Sequence, residues 1–365
     1  MASRLFFALA LTTLFVGVVL VWWGAAVTTE DVGLSVPDWP LCYGRLNPEG
    51  WYQIPALLLE HGHRWIGATI GMLVLTQYFW QFAKFRPRFI EAAGILICGL
   101  GFLYLVSQGV LVAASAIALM GLVWVVMSWI THRWPILRGL TTVAVILVLV
   151  QASLGGLRVL KMSDPYGIVH GTLGQVFFCV LVLITFAASP AWGRGGEWLR
   201  QRGTTRARAW SAILLAGVFM QLVLGAILRH TQRDHLAADD ILTTGGVWIP
   251  SMETLDAFML FVHKYWGFGV ALLILSVARM AKPWLQDVPG LRRLSGALTL
   301  MPVIQVVLGI TVVMTGKSFW VTNFHVLNGL ALLACSSLLA AGVWLSPTFV
   351  GDDEGNPAGK RSSTH

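Results

Sequence analysis

Residues 57–82, LLLEHGHRWIGATIGMLVLTQYFWQF, place the string Glu60-His61-Gly62-His63-Arg64 inside an otherwise apolar run. A helix needs ~20 apolar residues to cross a bilayer, and ionisable side chains within such a run are costly and mark function by default. The rest of the chain has the same character. Its 365 residues are 56% hydrophobic and 12% charged, with a mean hydropathy of +0.73, against about 25% charged in soluble domains. The apolar runs are too long and continuous for barrel strands, and lipid then leaves only helices. The sequence therefore predicts an all-α polytopic membrane protein of about ten spans, near 5–27, 57–82, 91–109, 112–131, 140–160, 168–188, 209–228, 256–280, 295–315 and 322–345. Trp22 and Trp23 close the first run where a signal peptide would carry small residues, so it reads as a retained span.

Charge orients these spans. The net charge is +8, and the basic residues cluster at Lys84-Arg86-Arg88, His132-Arg133-Arg138, Arg194 to Arg208, and Lys282-Arg292-Arg293. The positive-inside rule makes those segments cytoplasmic. The loops at 28–55 and 229–256 hold most of the acidic residues and face outward, which puts both termini in the cytoplasm. This distribution is that of a membrane protein and argues against a nucleic-acid partner. The run 91–131 has basic flanks on both sides and must cross an even number of times, as a hairpin turning near Ser107-Gln108-Gly109 or, alternatively, as a re-entrant pair. Residues 191–208 read as a basic cytoplasmic linker and 347–365 as a disordered cytoplasmic tail.

An internal repeat divides the chain into an N-terminal half, 1–190, and a C-terminal half, 209–346. Gly24 and His63 are 39 residues apart; Gly225 and His263 are 38 apart. Gln151-x-x-Leu154-Gly155 precedes His170 as Gln305-x-x-Leu308-Gly309 precedes His325, with 15 and 16 residues from glycine to histidine. Only the step between the histidines differs: 107 residues from His63 to His170 against 62 from His263 to His325. The surplus equals one helical hairpin. The plan is two pseudo-symmetric four-helix bundles with a hairpin inserted in the first.

Four of the nine histidines thus form two matched pairs at similar depth. Two imidazoles on facing helices can ligate one haem iron axially, so His63 with His170 and His263 with His325 are candidate haem ligands. Zinc would want four close ligands, often cysteines, and no cysteine neighbours these histidines. Glu60 shares a helical face with His63, whereas the matching position before His263 is Leu260. A carboxylate beside one haem and absent from the other points to chemistry in the first half, as a proton relay, a general base or a stabiliser of a developing cation. His61 lies on another face. Arg64, Arg158 and Arg229 are candidate contacts for haem propionates. His230, Asp234, His235, Asp239 and Asp240 form a loop cluster that reads as solvated rather than as a metal site.

Val36-Pro37-Asp38-Trp39-Pro40-Leu41-Cys42-Tyr43-Gly44, then Glu60-His61-Gly62-His63-Arg64, then His170-Gly171-x-x-x-Gln175, resemble the haem A synthase family from about residue 8 to residue 345. The resemblance implies a substrate haem O between His63 and His170, a resident haem b between His263 and His325, and oxidation of the C8 methyl of haem O to a formyl group for terminal oxidase assembly. It implies a catalytic role for Glu60 and a multi-pass bacterial-type inner membrane protein with its haem sites toward the outer face. Its partners would be lipid, an electron acceptor and the enzyme that supplies haem O. Many members carry a cysteine pair in the first outer loop; here Val36 stands before Pro37, and Cys42 is the only cysteine of that loop. Trp39 is expected to lie as a lid over the first haem. Two other classes fit part of the pattern: a di-haem b electron carrier, which would not need Glu60, and a haem transporter, which would need exchangeable ligands.

Overall fold

The computed structural model describes residues 3–83, 89–108, 111–132, 134–190, 205–230, 240–243, 246–250, 255–285 and 289–344. Most of the linker, the C-terminal tail, Gly109 of the hairpin turn, and Asp234, His235 and Asp239 of the loop cluster lie outside them.

Among the described residues the chain forms ten long α-helices. They are α1 (Arg4–Thr29), α2 (Pro55–Ala83), α3 (Phe89–Ser107), α4 (Leu111–His132), α5 (Ile136–Lys161), α6 (Asp164–Ala188), α7 (Thr205–His230), α8 (Leu255–Leu285), α9 (Pro289–Met314) and α10 (Phe319–Trp344). Seven of them (α1 and α5 to α10) are long and apolar enough to cross a membrane, and the chain is a multi-pass membrane protein. In α2, 29 residues long, the apolar run is interrupted by Glu60, His61, His63, Arg64, Gln77 and Gln81. Local signals set several ends. The Ser3 hydroxyl accepts from the Phe6 N–H at the start of α1, α6 has Asp164 and Pro165 in its first turn, and Met162 ends α5 in the left-handed region at φ 45°.

Helix α1 packs on α2 and α6, α2 on α5, and α5 on α6. Likewise α7 packs on α8 and α10, α8 on α9, and α9 on α10. The two sets meet where α1 and α6 pack on α10 and α6 packs on α7. The predicted hairpin lies outside the first set: α3 packs on α5 and α2, and α4 on α3. Many large apolar side chains of α4, among them Leu119, Met120, Val123, Trp124 and Met127, are exposed.

Each set is filled at one end and hollow at the other. Phe6, Ile70, Tyr78, Phe82, Val145, Leu181 and Ile184 fill the first, and Leu214, Ile274, Val277, Leu298 and Leu333 the second. Within the first core the Gln77 amide of α2 donates to the Thr13 hydroxyl of α1 at 2.5 Å, with both residues at most 1% exposed. Interhelical hydrogen bonds of this kind average about 0.6 kcal/mol in membrane proteins and reach about 1.7. Thr13→Val is expected to lower stability by about 1 kcal/mol, read from SDS or thermal unfolding in detergent, and to leave ligand binding at the hollow end unchanged.

Candidate functional site

At the hollow end a connected cavity of about 780 Å³ runs through both sets of helices. It is lined by all four matched histidines, by Glu60, Arg64, Arg158, Arg229 and His230, and by Trp39 and Pro40 of the first loop, between α1 and α2.

Each histidine faces a glycine on the neighbouring helix. A Cβ at Gly24 would stand 2.9 Å from His63 Cε1, at Gly155 3.3 Å from His170 Cε1, at Gly225 3.1 Å from His263 Cε1, and at Gly309 3.2 Å from His325 Cε1. The Gly–His spacings of the sequence repeat are thus contacts across α1–α2, α5–α6, α7–α8 and α9–α10. Any larger residue would push the ring aside.

Three of the four histidines are also pinned by glutamine. Gln151 Nε2 donates to the His170 carbonyl at 3.0 Å, and Gln221 and Gln305 donate to the carbonyls of His263 and His325 at 3.1 Å each. Each glutamine lies over a glycine one turn beyond its histidine: Gly174, Gly267 and Gly329. Asn328 joins this group, donating to Gln305 Oε1 at 2.7 Å and to the Met301 carbonyl at 2.9 Å. At His63 the corresponding residue is Leu20, and a Cβ at Gly67 would meet nothing within 4 Å. Neither Gln221 nor Asn328 was picked out from the sequence. The signal for Gln221 was present, since Gln221-x-x-Leu224-Gly225 is a third copy of the Gln-x-x-Leu-Gly string; Asn328 has no counterpart in the first half and left none.

His63 and His170 stand with ring centroids 6.3 Å apart. A metal–imidazole bond is about 2 Å long, so two rings at this separation can face one axial metal between them. Nδ1 of His63 and of His325 are buried without a hydrogen-bond partner. His61 points elsewhere: its Nε2 accepts from Trp65 Nε1 at 3.0 Å, and its ring meets Trp51 edge-on at 4.9 Å.

Glu60, 5% exposed, uses both carboxylate oxygens. Oε2 accepts from the Val36 N–H at 2.8 Å and Oε1 from Arg64 Nη2 at 2.7 Å. Arg64 gives its guanidinium to the protein itself, with Nη1 donating to the carbonyls of Asp38 and Leu41 at 2.8 and 2.7 Å. It fastens the first loop over Glu60. The residue after His263 does the same for the second loop, where Lys264 Nζ donates to the carbonyls of Asp240 and Thr243 at 2.6 and 2.8 Å. Each loop turns on an aspartate. Asp38 accepts from the N–H groups of Tyr43 and Gly44, and Asp240 from those of Thr243 and Gly246. Trp39 packs flat on Gly156 of α5, where a Cβ would stand 2.6 Å from its ring. Cys42 is a free thiol, fully buried, and burial raises its pKa.

Arg158 packs against Gly33 of the first loop, and Arg229 Nη2 donates to Ala25 O and Thr29 Oγ1 of α1 at 2.8 Å each. His230, expected in a solvated loop, is instead the last residue of α7 and lines the cavity. Apolar periodicity fades at a helix end, so the sequence could not separate that last turn from the loop after it.

These features define a class: a helical membrane protein with paired, glycine-cradled histidines in one apolar cavity. The sequence profile of the COX15-CtaA family, described as cytochrome oxidase assembly protein, matches residues 111–337, and the chain belongs to that family. It is 25% identical over 364 residues to a haem A synthase of Erythrobacter litoralis, covering 87% of this chain and 90% of the relative. It is 29% identical over 157 residues to a haem A synthase of Sphingopyxis alaskensis, or 39% of this chain and 42% of the relative. A haem A synthase of Bacillus pumilus is 35% identical over 98 residues, 27% of this chain and 31% of the relative.

The Asp38 turn yields a prediction. Burial alone would raise the Asp38 carboxyl, but the Gly44 and Tyr43 N–H groups, helped by Arg64, outweigh it and hold the pKa below its ordinary value. A depressed folded pKa means that the stabilisation is present above the unfolded value, about 3.9, and is lost as pH falls through the lower folded value. Hydrogen exchange at the Tyr43 and Gly44 amides should accelerate, relative to intrinsic rates, only below pH ~4 in the wild type. In Asp38→Asn it should already be fast at neutral pH.

Proposed function

We propose that this chain is a haem A synthase, with haem O as substrate between His63 and His170 and a resident haem b between His263 and His325. The two sets of helices would be pseudo-symmetric bundles that share one kind of porphyrin site and differ in chemistry. The observation that carries the reading is the difference built on a common cradle. Both halves have Gly–His pairs and a cation after the first histidine, but only the first has a carboxylate, Glu60, where the second has Leu260, 2% exposed. The donors suit the group: imidazoles facing each other across 6.3 Å, orphaned ring nitrogens, and an apolar cavity walled by glycines into which a flat macrocycle can slide.

The side chains then divide the work. His63 and His170 would hold the substrate through its iron, below the first loop. Trp39, packed on Gly156, and the loop clamped by Arg64 would cover that end of the cavity. With water as the source of the formyl oxygen, oxidation of a methyl to a formyl group passes electrons to the acceptor and releases protons, and Glu60, its oxygens aligned by Val36 N–H and Arg64, is placed to accept the protons or to stabilise the cation that develops. Haem b, when bound, supplies a one-electron redox centre in the second half. Of the three arginines expected at the propionates, Arg64 and Arg229 are held by protein oxygens, and Arg158 on the cavity wall would serve a propionate. The distribution of Lys and Arg supports cytoplasmic termini, with the cavity toward the outer face. The partners are the enzyme that delivers haem O, the lipid around the helices and an electron acceptor; the product serves assembly of a terminal oxidase.

Membranes that make haem O and express this chain should yield haem A, or its hydroxylated precursor, by mass spectrometry of extracted haems. Glu60→Ala should lower that yield about a hundredfold or more while the purified protein still carries haem. Recovery of only haem B and haem O from folded, haem-loaded wild type would refute the assignment.

A further inference from the structure

Two donor groups on the cavity wall have nothing to bind. Among the described residues Arg64, Lys264 and Arg229 are all engaged by protein oxygens, whereas the side chains of Arg158 and His230 make no hydrogen bond or ion pair, although both line the cavity. They converge although they come from opposite halves of the chain. From the point that a Cβ would occupy on Gly167 of α6, His230 Nδ1 is 2.8 Å away and Arg158 Nε 3.0 Å away. His230 Nε2 lies 3.4 Å from the same point on Gly171, the residue after His170. The approach depends on α6 having glycine at both positions. It also depends on Arg229, whose bonds to Ala25 O and Thr29 Oγ1 fasten the end of α7 to α1 and so hold His230 over the first half.

A guanidinium and an imidazole N–H, neither hydrogen-bonded by its side chain and both lining an apolar cavity, form a receptor for a carboxylate. The guanidinium supplies charge and a planar fork of donors, and the ring supplies one more donor. We propose that His230 and Arg158 together bind one propionate of the porphyrin held between His63 and His170, so that the C-terminal half completes the substrate site of the N-terminal half. This rests on reading the first half as a porphyrin site. In the second half the position of Arg158, three residues beyond the cradling glycine, is Val312, so the pair is peculiar to the first. His230 is on this account a binding residue that sets the in-plane orientation of the macrocycle, and with it which methyl group meets Glu60.

The test needs no turnover. The full-length chain, isolated with its second site filled by haem B, is titrated with haem O and with the dimethyl ester of haem O, which keeps the ring and loses both carboxylates. The wild type should prefer the diacid by about tenfold or more, the worth of a charge-assisted hydrogen bond. His230→Ala and Arg158→Ala should each cut that preference to about threefold or less, with unchanged absorption bands, while His230→Gln, which retains a donor, should keep most of it. An undiminished preference in His230→Ala overturns the proposal. So does a change from low-spin to high-spin iron in that variant, because it would make His230 an axial ligand. Failure of the wild type to form haem A is a separate result: it would sink the synthase reading and leave the diacid preference to be read on its own.

Discussion

The site depends on how closely two helices can approach around an imidazole. A histidine on one transmembrane helix can lie broadside against its neighbour only if the neighbour has no side chain there, and four glycines meet four histidines in this way at 2.9 to 3.3 Å. Small residues are a general means of bringing membrane helices together. Here they also fix where each ring can point, because a ring pressed against a backbone has few other rotamers. The cavity follows from the same contacts. The cores of the two sets fill one end with Phe, Tyr, Ile and Leu, and the glycine-rich end stays open between the rings.

On this shared cradle the four positions are not equivalent. Glutamines tie down the turn that bears His170, His263 and His325, each through its carbonyl. His63 has no such tie, and its own helix carries Glu60 and the open surface at Gly67. The one histidine of the four without a glutamine tie is therefore the one next to the Glu60 carboxylate. A site that admits a substrate and releases a product needs more freedom than a site for a resident group, and the missing glutamine is consistent with that. The loops above the two sites are closed by the same device, a cation directly after the histidine that gathers loop carbonyls, so that Arg64 and Lys264 play like parts while Glu60 and Leu260 do not.

Much of this was legible in the sequence because lipid makes the code simple. Ten apolar runs gave ten helices with ends within a few residues, and the two-copy spacing of glycine and histidine proved to be physical contact. What was hidden was hidden for definite reasons. Gln221 was overlooked because this step of the repeat was matched on the glycines Gly24 and Gly225 rather than on the glutamine that precedes Gly225. Arg64 is bound to the first loop, not free in the cavity, because the carbonyls of Asp38 and Leu41 come within reach only when the loop folds back. His230 was placed in the loop since nothing local shows that α7 extends to it or that its end crosses to α6. The outer position of α3 and α4 depends on long-range packing that their uniform apolar sequence does not encode.

The central claim is that each half builds its own haem site from its own glycine–histidine pairs, and that the substrate is held by the first. The most direct measurement is the identity of the haems extracted from Gly24→Val and Gly225→Val, each expressed where haem O is made. A side chain at Gly24 should displace His63, so that the first variant loses haem O and haem A and retains haem B. The second should lose haem B through His263 and retain the other haems. Loss of the same haem species from both variants, or of none from either, would contradict the account.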